Sequence, residues 1–572
     1  MLFLPKLGKS KNEIEPEDIF LDSSNLSNLD DDSFEGRFEK NISHKSFYFF
    51  AIISILISIF FIYTLFKHQV INHKYWDNLA SNNYIKKNLI FANRGVILGR
   101  NGEVLAWNED ATSTENKLFI PKRFYVTGAG LSSTLGYLSY PKKDAKGVFW
   151  QSDYKGDSGI EKEYDNTLSG TSGESISEIS VNGKVAKDNV ISAPVPGINL
   201  ETSLDINIQK AFYKNLKEVV DSQGFSGGAG VMMDVNSGAV ISLVSYPDFD
   251  NNIFANAESK EEKEIKSKYL LDKKTPMLNR AASGMYVPGS VVKPFMAYAA
   301  LKEGVIDEYK NIFSSGQLVI KNKYDGPDTI FRDWKAHGYV DVRHAIAVSS
   351  DEYFYQVGGG YLDQPGLGIT RIEKYMKYFG FASSTGIDLP QEKSGIVPSV
   401  EWKKKNFEDG DWLLGNTYHT SIGQYGFQTT PLELARNIAA IANGGKMIIP
   451  KIASTTENQK LNIENITDLG LDKSILKIIR EGMELSASDI GTAHYFNDLP
   501  FKVAAKTGTA QLGFKNERVN SWSSGYFPAE NPKYVFVFMM EGGPSTNKVG
   551  ASKMMRKVFT EMLETSPQTF KF

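Results

Sequence analysis

The sequence predicts an α+β protein: a single N-terminal transmembrane helix, an elongated β-rich module after it, and a large domain with an antiparallel sheet and helices beside it. Three observations carry that expectation. Phe47–Phe66 runs for 20 positions without a charged residue. Strand patterns open and close the stretch from 198 to 565, with helical patterns between them. At 572 residues the chain is also too long for one ordinary domain, so two or three folded units are expected.

Composition narrows the function classes. Hydrophobic residues make up 41%, with 49 Gly and 21 Pro, so most of the chain can build packed cores. The 64 basic and 67 acidic residues leave a net charge of −3, which gives no basic footprint and argues against nucleic acid as a partner. Cysteine is absent, which excludes disulfides, thiol nucleophiles and Cys-ligated metals. No cofactor and no metal are expected.

Taken in order, residues 1–45 are polar, acidic around Asp30-Asp31-Asp32 and without periodicity, and are expected to form a disordered tail. Residues 46–66 are the expected membrane span, since 20 helical residues match a hydrocarbon core of about 30 Å. A soluble core helix seldom stays apolar on every face for that length, and a signal peptide seldom starts so far into a chain. Lysines and arginines flank both ends of the span, so charge leaves its orientation open. Residues 67–197 form the membrane-proximal module, with a hairpin turn expected at Arg100-Asn101-Gly102 and a Pro-rich boundary loop at Ala193–Gly197. The main domain, 198–565, opens with a strand and an amphipathic helix in LETSLDINIQKAFYKNL, followed by a hairpin turning at Asn236-Ser237-Gly238. Helices are expected at Thr370–Phe379 and Pro431–Ala442, and the strands FKVAAKTGTA, VNSWSSGYFPA and KYVFVFMMEG close the domain before a short tail, 566–572.

Three short elements point to chemistry. Ser290-Val291-Val292-Lys293 is one of five Ser-x-x-Lys spacings in the chain; the others begin at Ser139, Ser152, Ser474 and Ser545. Context separates it from them. It follows the turn Val287-Pro288-Gly289 and precedes Pro294 and an apolar helical run. Proline is tolerated in the first turn of a helix, so Pro294 places Ser290 at a helix start, with Lys293 on the same face. A serine hydroxyl needs a base, and an amine serves only when burial or a second cation lowers its pKa. Lys506-Thr507-Gly508-Thr509, the one Lys-Thr-Gly in the chain, offers that cation at the end of a strand. Its threonines can bind a carboxylate, and Gly508 would let substrate lie against the strand. The third element, Ser349-Ser350-Asp351, reads alone as a helix N-cap.

Ser-x-x-Lys, Ser-x-Asp and Lys-Thr-Gly in this order resemble the element order of penicillin-binding proteins and serine β-lactamases. With NRGVILGRNGEVLA, SGIEKEYDNTLSGTSG, TPMLNRAASGMYVPGSVVKP and GQYGFQTTPLELA beside them, the chain resembles a class B penicillin-binding protein from about residue 60 to 565. Within the class it is most similar to the penicillin-binding protein 2 branch, which serves cell-wall elongation. The features favouring that branch are Asp351, where the septal branch usually has Asn, and TPMLNRA leading into the Ser290 turn.

The resemblance implies a penicillin-binding, serine β-lactamase-like transpeptidase domain above a pedestal of the dimerisation type. It implies that Ser290 attacks the D-Ala-D-Ala carbonyl of a peptidoglycan stem peptide, with Lys293 as general base. Ser349 would relay a proton within a network that includes Lys506, and Asp351 would belong to the same group. Thr507, Gly508 and Thr509 would bind the donor's terminal carboxylate, with the backbone N–H groups of Ser290 and Thr509 as oxyanion hole. β-Lactams would acylate the same serine. The implied partners are a SEDS-family (RodA-type) glycosyltransferase, met through pedestal and transmembrane helix, and an MreC-type scaffold. The implied location is the bacterial inner membrane, single-pass, with the catalytic domain in the periplasm. Septal transpeptidase, D,D-carboxypeptidase, β-lactam sensor or β-lactamase, and non-catalytic scaffold remain as alternatives. The Glu-x-x-Leu-Asn element that a β-lactamase of this type uses for deacylation is missing after Ser290.

Overall fold

A computed structural model describes residues 44–82, 85–109, 120–145, 149–179, 185–324, 326–408, 410–456, 459–460 and 466–572. It divides into two units, 1–85 and 86–572. In the first, α1 (His44–Phe66) continues through a π-helical turn at Lys67–Ile71, and the whole is long and apolar enough to cross a membrane. No residue of α1 is buried, so its apolar side chains face outward all round, as a bilayer span requires. The expected disordered tail falls, up to residue 43, outside the described residues.

The second unit contains, in chain order, β1 (Ile97–Leu98), β2 (Val104–Glu109), β3 (Lys122–Tyr125), β4 (Leu200–Thr202), α2 (Ile206–Gln223), β5 (Gly227–Asp234), β6 (Val240–Tyr246), α3 (Lys293–Lys302), α4 (Asp351–Gly359), α5 (Pro431–Ala442), β7 (Ala453–Thr456), β8 (Gln459–Lys460), α6 (Lys473–Ser486), β9 (Ala504–Leu512), β10 (Arg518–Phe527), β11 (Tyr534–Pro544) and α7 (Ala551–Thr565), with further elements between them, among them the helix Gly368–Tyr378 where one was expected at Thr370–Phe379. The two hairpins turn where expected. Gly102 between β1 and β2, and Gly238 between β5 and β6, have φ of 83° and 77°, which glycine reaches without strain.

The central sheet has the order β6-β5-β11-β10-β9 and is antiparallel throughout. Its register explains the sequence of β11. Val535, Val537 and Met539 face one core cluster, while Phe536, Phe538 and Met540 face another that holds α2 and α7. A strand buried on both faces needs an uninterrupted apolar run, and YVFVFMM supplies it. β9, at the edge, is the strand that carries Lys506–Thr509.

A six-stranded sheet, β8-β7-β4-β1-β2-β3, joins strands from both sides of residue 197. Near it lies a buried charge cluster. The Glu161 carboxylate accepts Arg123 Nε at 2.8 Å and also pairs with Arg94, whose Nη2 reaches Asp165 Oδ1 at 2.7 Å. Glu161 and Arg123 are fully buried and Arg94 nearly so. Burial pushes the Glu161 carboxyl up, but the two guanidiniums more than reverse this and hold it below the ordinary carboxylate range.

Candidate active site

Ser290 sits in a 3₁₀ turn, Gly289–Val292, that runs straight into α3 with Pro294 in the helix's first turn. Three contacts fix the turn. Gly289, at φ 59°, donates its N–H to Gly423 O at 3.0 Å. Trp522 Nε1 on β10 donates to Val287 O at 3.0 Å. A Cβ built on Gly508 would lie 2.8 Å from Pro288 O and 2.9 Å from Val291 Cγ1. The space on the Cβ side of Gly508 is therefore taken by the Ser290 turn, so glycine here lets β9 approach that turn. The same proximity brings Thr509 to the turn, since a Cβ on Gly289 would lie 3.0 Å from Thr509 O.

Every residue of α3 from Lys293 to Ala300 is buried, so the Lys293 ammonium must find partners inside. It donates to Asp351 Oδ1 at 2.6 Å, to Ser349 O at 2.8 Å and to Ser349 Oγ at 3.3 Å. From the opposite side Lys506 Nζ donates to Ser349 Oγ and to Thr507 O, each at 2.8 Å. Ser349 thus lies between two buried lysines. Among the described residues Ser290 Oγ has no hydrogen-bond partner, so Lys293 is turned toward Ser349 and Asp351 in this state. Burial, and then the neighbouring Lys293, push the Lys506 pKa well below the ordinary lysine value, with Asp351 pulling the other way.

The second element holds two roles at once. Ser350 caps α4, accepting Tyr353 N at 3.2 Å, while Ser349 is held at φ 59°, a conformation L side chains rarely adopt. The N-cap reading belongs to Ser350 and the contact with the lysines to Ser349. On β9, Thr509 is exposed and Thr507 half-buried, and Thr507 Oγ1 donates to Thr492 Oγ1 at 2.6 Å.

The four other Ser-x-x-Lys spacings do not join the site. Ser474 and Lys477 share α6, but Ser474 Oγ bonds Asp472 at 2.6 Å and Lys477 is solvent-exposed beside Glu481. Two site residues had no sequence signal: Thr492, and Asp333, whose carboxylate accepts Ser350 Oγ at 2.8 Å. Among the described residues no group of three or more metal-ligating side chains converges.

A nucleophile turn, two buried lysines bridged by a serine, and a Lys-Thr-Gly edge strand define a serine acyl-transferase of the penicillin-recognising kind. The chain belongs to the class B penicillin-binding protein transpeptidases. Residues 228–564 match the penicillin binding protein transpeptidase domain, and 119–202 the penicillin-binding protein dimerisation domain. A peptidoglycan D,D-transpeptidase MrdA from Haemophilus influenzae is 32% identical over 485 residues, covering 79% of this chain and 71% of the relative. Penicillin-binding protein 2 from Helicobacter pylori, solved in complex with MreC, superposes with a TM-score of 0.68 at 27% identity, covering 84% of this chain and all of that one. A chain from a peptidoglycan synthase complex, described as coordinating polymerization and crosslinking, gives a TM-score of 0.70 at 25% identity, covering 91% and 97%.

Proposed function

We infer that this chain is a membrane-anchored peptidoglycan D,D-transpeptidase of the elongation type, and that Ser290 is its nucleophile. The observation that carries the reading is the placement of Ser349 between Lys293 and Lys506, beside the Ser290 turn. Two buried ammonium groups so close favour loss of one proton, and burial and the Lys293 charge push Lys506 toward its neutral form. A neutral Lys506 can take the Ser349 hydroxyl proton while Ser349 takes one from Lys293. Lys293 is then a neutral amine one helical turn from Ser290. It accepts the Ser290 proton as Oγ bonds the penultimate D-Ala carbonyl carbon, and the same proton passes to the departing D-Ala amine as the peptide bond breaks. An amine from a neighbouring stem then attacks the acyl-enzyme, restores the Ser290 hydroxyl and completes the crosslink.

In this reading the backbone N–H groups of Ser290 and Thr509 hold the carbonyl oxygen, each such donor being worth about 10²–10³ in rate. Thr507 and Thr509 hold the terminal carboxylate. The substrate lies outside the cytoplasmic membrane, so residues 67–572 belong in the periplasm and the N-terminal tail in the cytoplasm. The span from 67 to 197 is then the pedestal. Its partners are an MreC-type scaffold and a SEDS-family glycosyltransferase, in keeping with the assemblies in which the two similar structures were solved.

The test is labelling with a fluorescent penicillin together with product analysis on a stem-peptide substrate. Wild type forms a long-lived adduct and crosslinked dimer, and Ser290→Ala forms neither. Wild-type crosslinking by Ser290→Ala ends the catalytic reading. Rapid turnover of the adduct points to a β-lactamase instead, and hydrolysis without dimer to a carboxypeptidase.

A further inference from the structure

Ser349 lies in the turn between the helix Val342–Ala347 and α4. It carries φ of 59° without being glycine, and such residues persist only where the surroundings over-determine them. The two lysines bind its carbonyl and hydroxyl, but both are long side chains that could follow a displaced serine. What fixes the turn from outside is one carboxylate. Asp333 follows the strand Thr329–Arg332, and its Oδ2 accepts Ser350 Oγ at 2.8 Å and Glu352 N at 2.9 Å. These two donors flank Asp351, so one oxygen clamps the chain on both sides of the residue that pairs with Lys293. Ser314 Oγ on the strand Ile312–Ser314 approaches the same oxygen at 3.4 Å.

The other oxygen is held as well. Asp333 Oδ1 accepts Trp334 N at 2.8 Å, and His337 Nε2 stands 3.7 Å from it. The Asp333 side chain is fully buried. Burial alone would push its carboxyl up; the donors around it and the Lys293 charge reverse this and hold it at about 2. Nothing in the transfer chemistry uses this group, and it does not reach the nucleophile.

We propose that Asp333 is a positioning residue, which sets the Ser349–Asp351 turn by clamping Ser350 Oγ and the Glu352 N–H, and through that turn aligns Ser349 between Lys293 and Lys506. The inference rests on the reading of Ser290 and Ser349 given above. Asp333→Asn keeps the shape but turns an amide N–H₂ toward a site where the close neighbours are donors. A misplaced relay hydroxyl costs on the order of 10²-fold in rate.

The experiment measures acylation of the full-length membrane protein by a fluorescent penicillin over a range of concentrations, separating the acylation rate constant from the initial binding constant. Asp333→Asn is expected to lower the rate constant about 10²-fold with initial binding unchanged. Ser350→Ala, which removes the clamped hydroxyl, is expected to do likewise. The double variant should be no slower than the slower single, because both act through one turn. Asp341→Asn is the control: that residue caps the helix Val342–Ala347 through His344 N and makes no contact with the turn. It should shift the melting temperature and leave acylation alone. Wild-type acylation by Asp333→Asn overturns the proposal. So does a loss that only tracks the unfolded fraction, or a double variant whose losses multiply. A wild type that takes no label defeats the reading of Ser290 itself, and this inference with it.

Discussion

The protein buries two clusters of charge, and they are built on opposite rules. In the segment before residue 198, two guanidiniums meet the Glu161 carboxylate, with Asp165 beside them, and every charge has an opposite within hydrogen-bonding distance. At the site, Lys293 and Lys506 face one another across a serine hydroxyl, with Asp351 bonded to Lys293 and Asp333 also within reach of its charge. The first cluster is matched and serves the fold. In the second, among the described residues, no carboxylate pairs with Lys506, and burial and the Lys293 charge push its pKa well below the ordinary lysine value. Burial by itself therefore says little about a lysine or glutamate; the balance of charge around it decides between architecture and chemistry.

The comparison breaks first at Lys506. Lys506→Met keeps the volume and removes the repulsion, so acylation by a fluorescent penicillin should fall about 10²–10⁴-fold while the melting temperature holds or rises. A fall in stability with acylation intact would reverse the assignment of the two clusters. Glu161→Gln is the mirror experiment. It leaves two buried guanidiniums short of a counter-charge and should cost about 3–5 kcal/mol in denaturant unfolding, with the acylation rate of the folded fraction unchanged.

Asp248 tests a third case, a buried carboxyl with no cation to match it. Among the described residues its Oδ1 has no hydrogen-bond partner, and burial pushes the group up to about 7, with Asp250 adding to the rise and Ser132 and the Phe249 N–H opposing it. Its folded value exceeds the ordinary 3.8, so the protonated form favours the folded state at low pH. That contribution is lost as pH rises from about 4 to about 7, by no more than about 4 kcal/mol. Melting curves against pH should show the decline in wild type and a shallower one in Asp248→Asn. The smallest effect belongs to Thr492→Val, which removes the partner of Thr507 Oγ1. About 1 kcal/mol of hydrogen bonding corresponds to a several-fold loss of crosslinking on a stem-peptide substrate.

The residues proposed to carry the chemistry could be singled out in the sequence because each carries a local signature. Pro294 marked the start of α3, Ser350 marked the cap of α4, and Lys506-Thr507-Gly508 followed a strand pattern. The hairpins at Gly102 and Gly238 and the helix Pro431–Ala442 were legible for the same reason. Contacts between distant segments were not. Asp333 lies in an unremarkable FRDWKAHG stretch and Thr492 in an ordinary Gly-Thr-Ala, and only the fold brings either to the site. Gly508 shows the same limit: a glycine reports that something comes close, not what, and on its Cβ side that is the Ser290 turn.

The edge position of β9 sets what the enzyme can discriminate. A strand with one side unpaired presents backbone donors and acceptors to an incoming extended chain, and backbone pairing is blind to the identity of most side chains. On the proposed reading, a stem peptide laid along Lys506–Thr509 would be gripped by what all such peptides share, its amide groups and its free end. Variation in the middle of the stem should then cost little there, while blocking the terminal carboxylate should cost much. Selectivity lies at the tip of the ligand, where a β-lactam can imitate it.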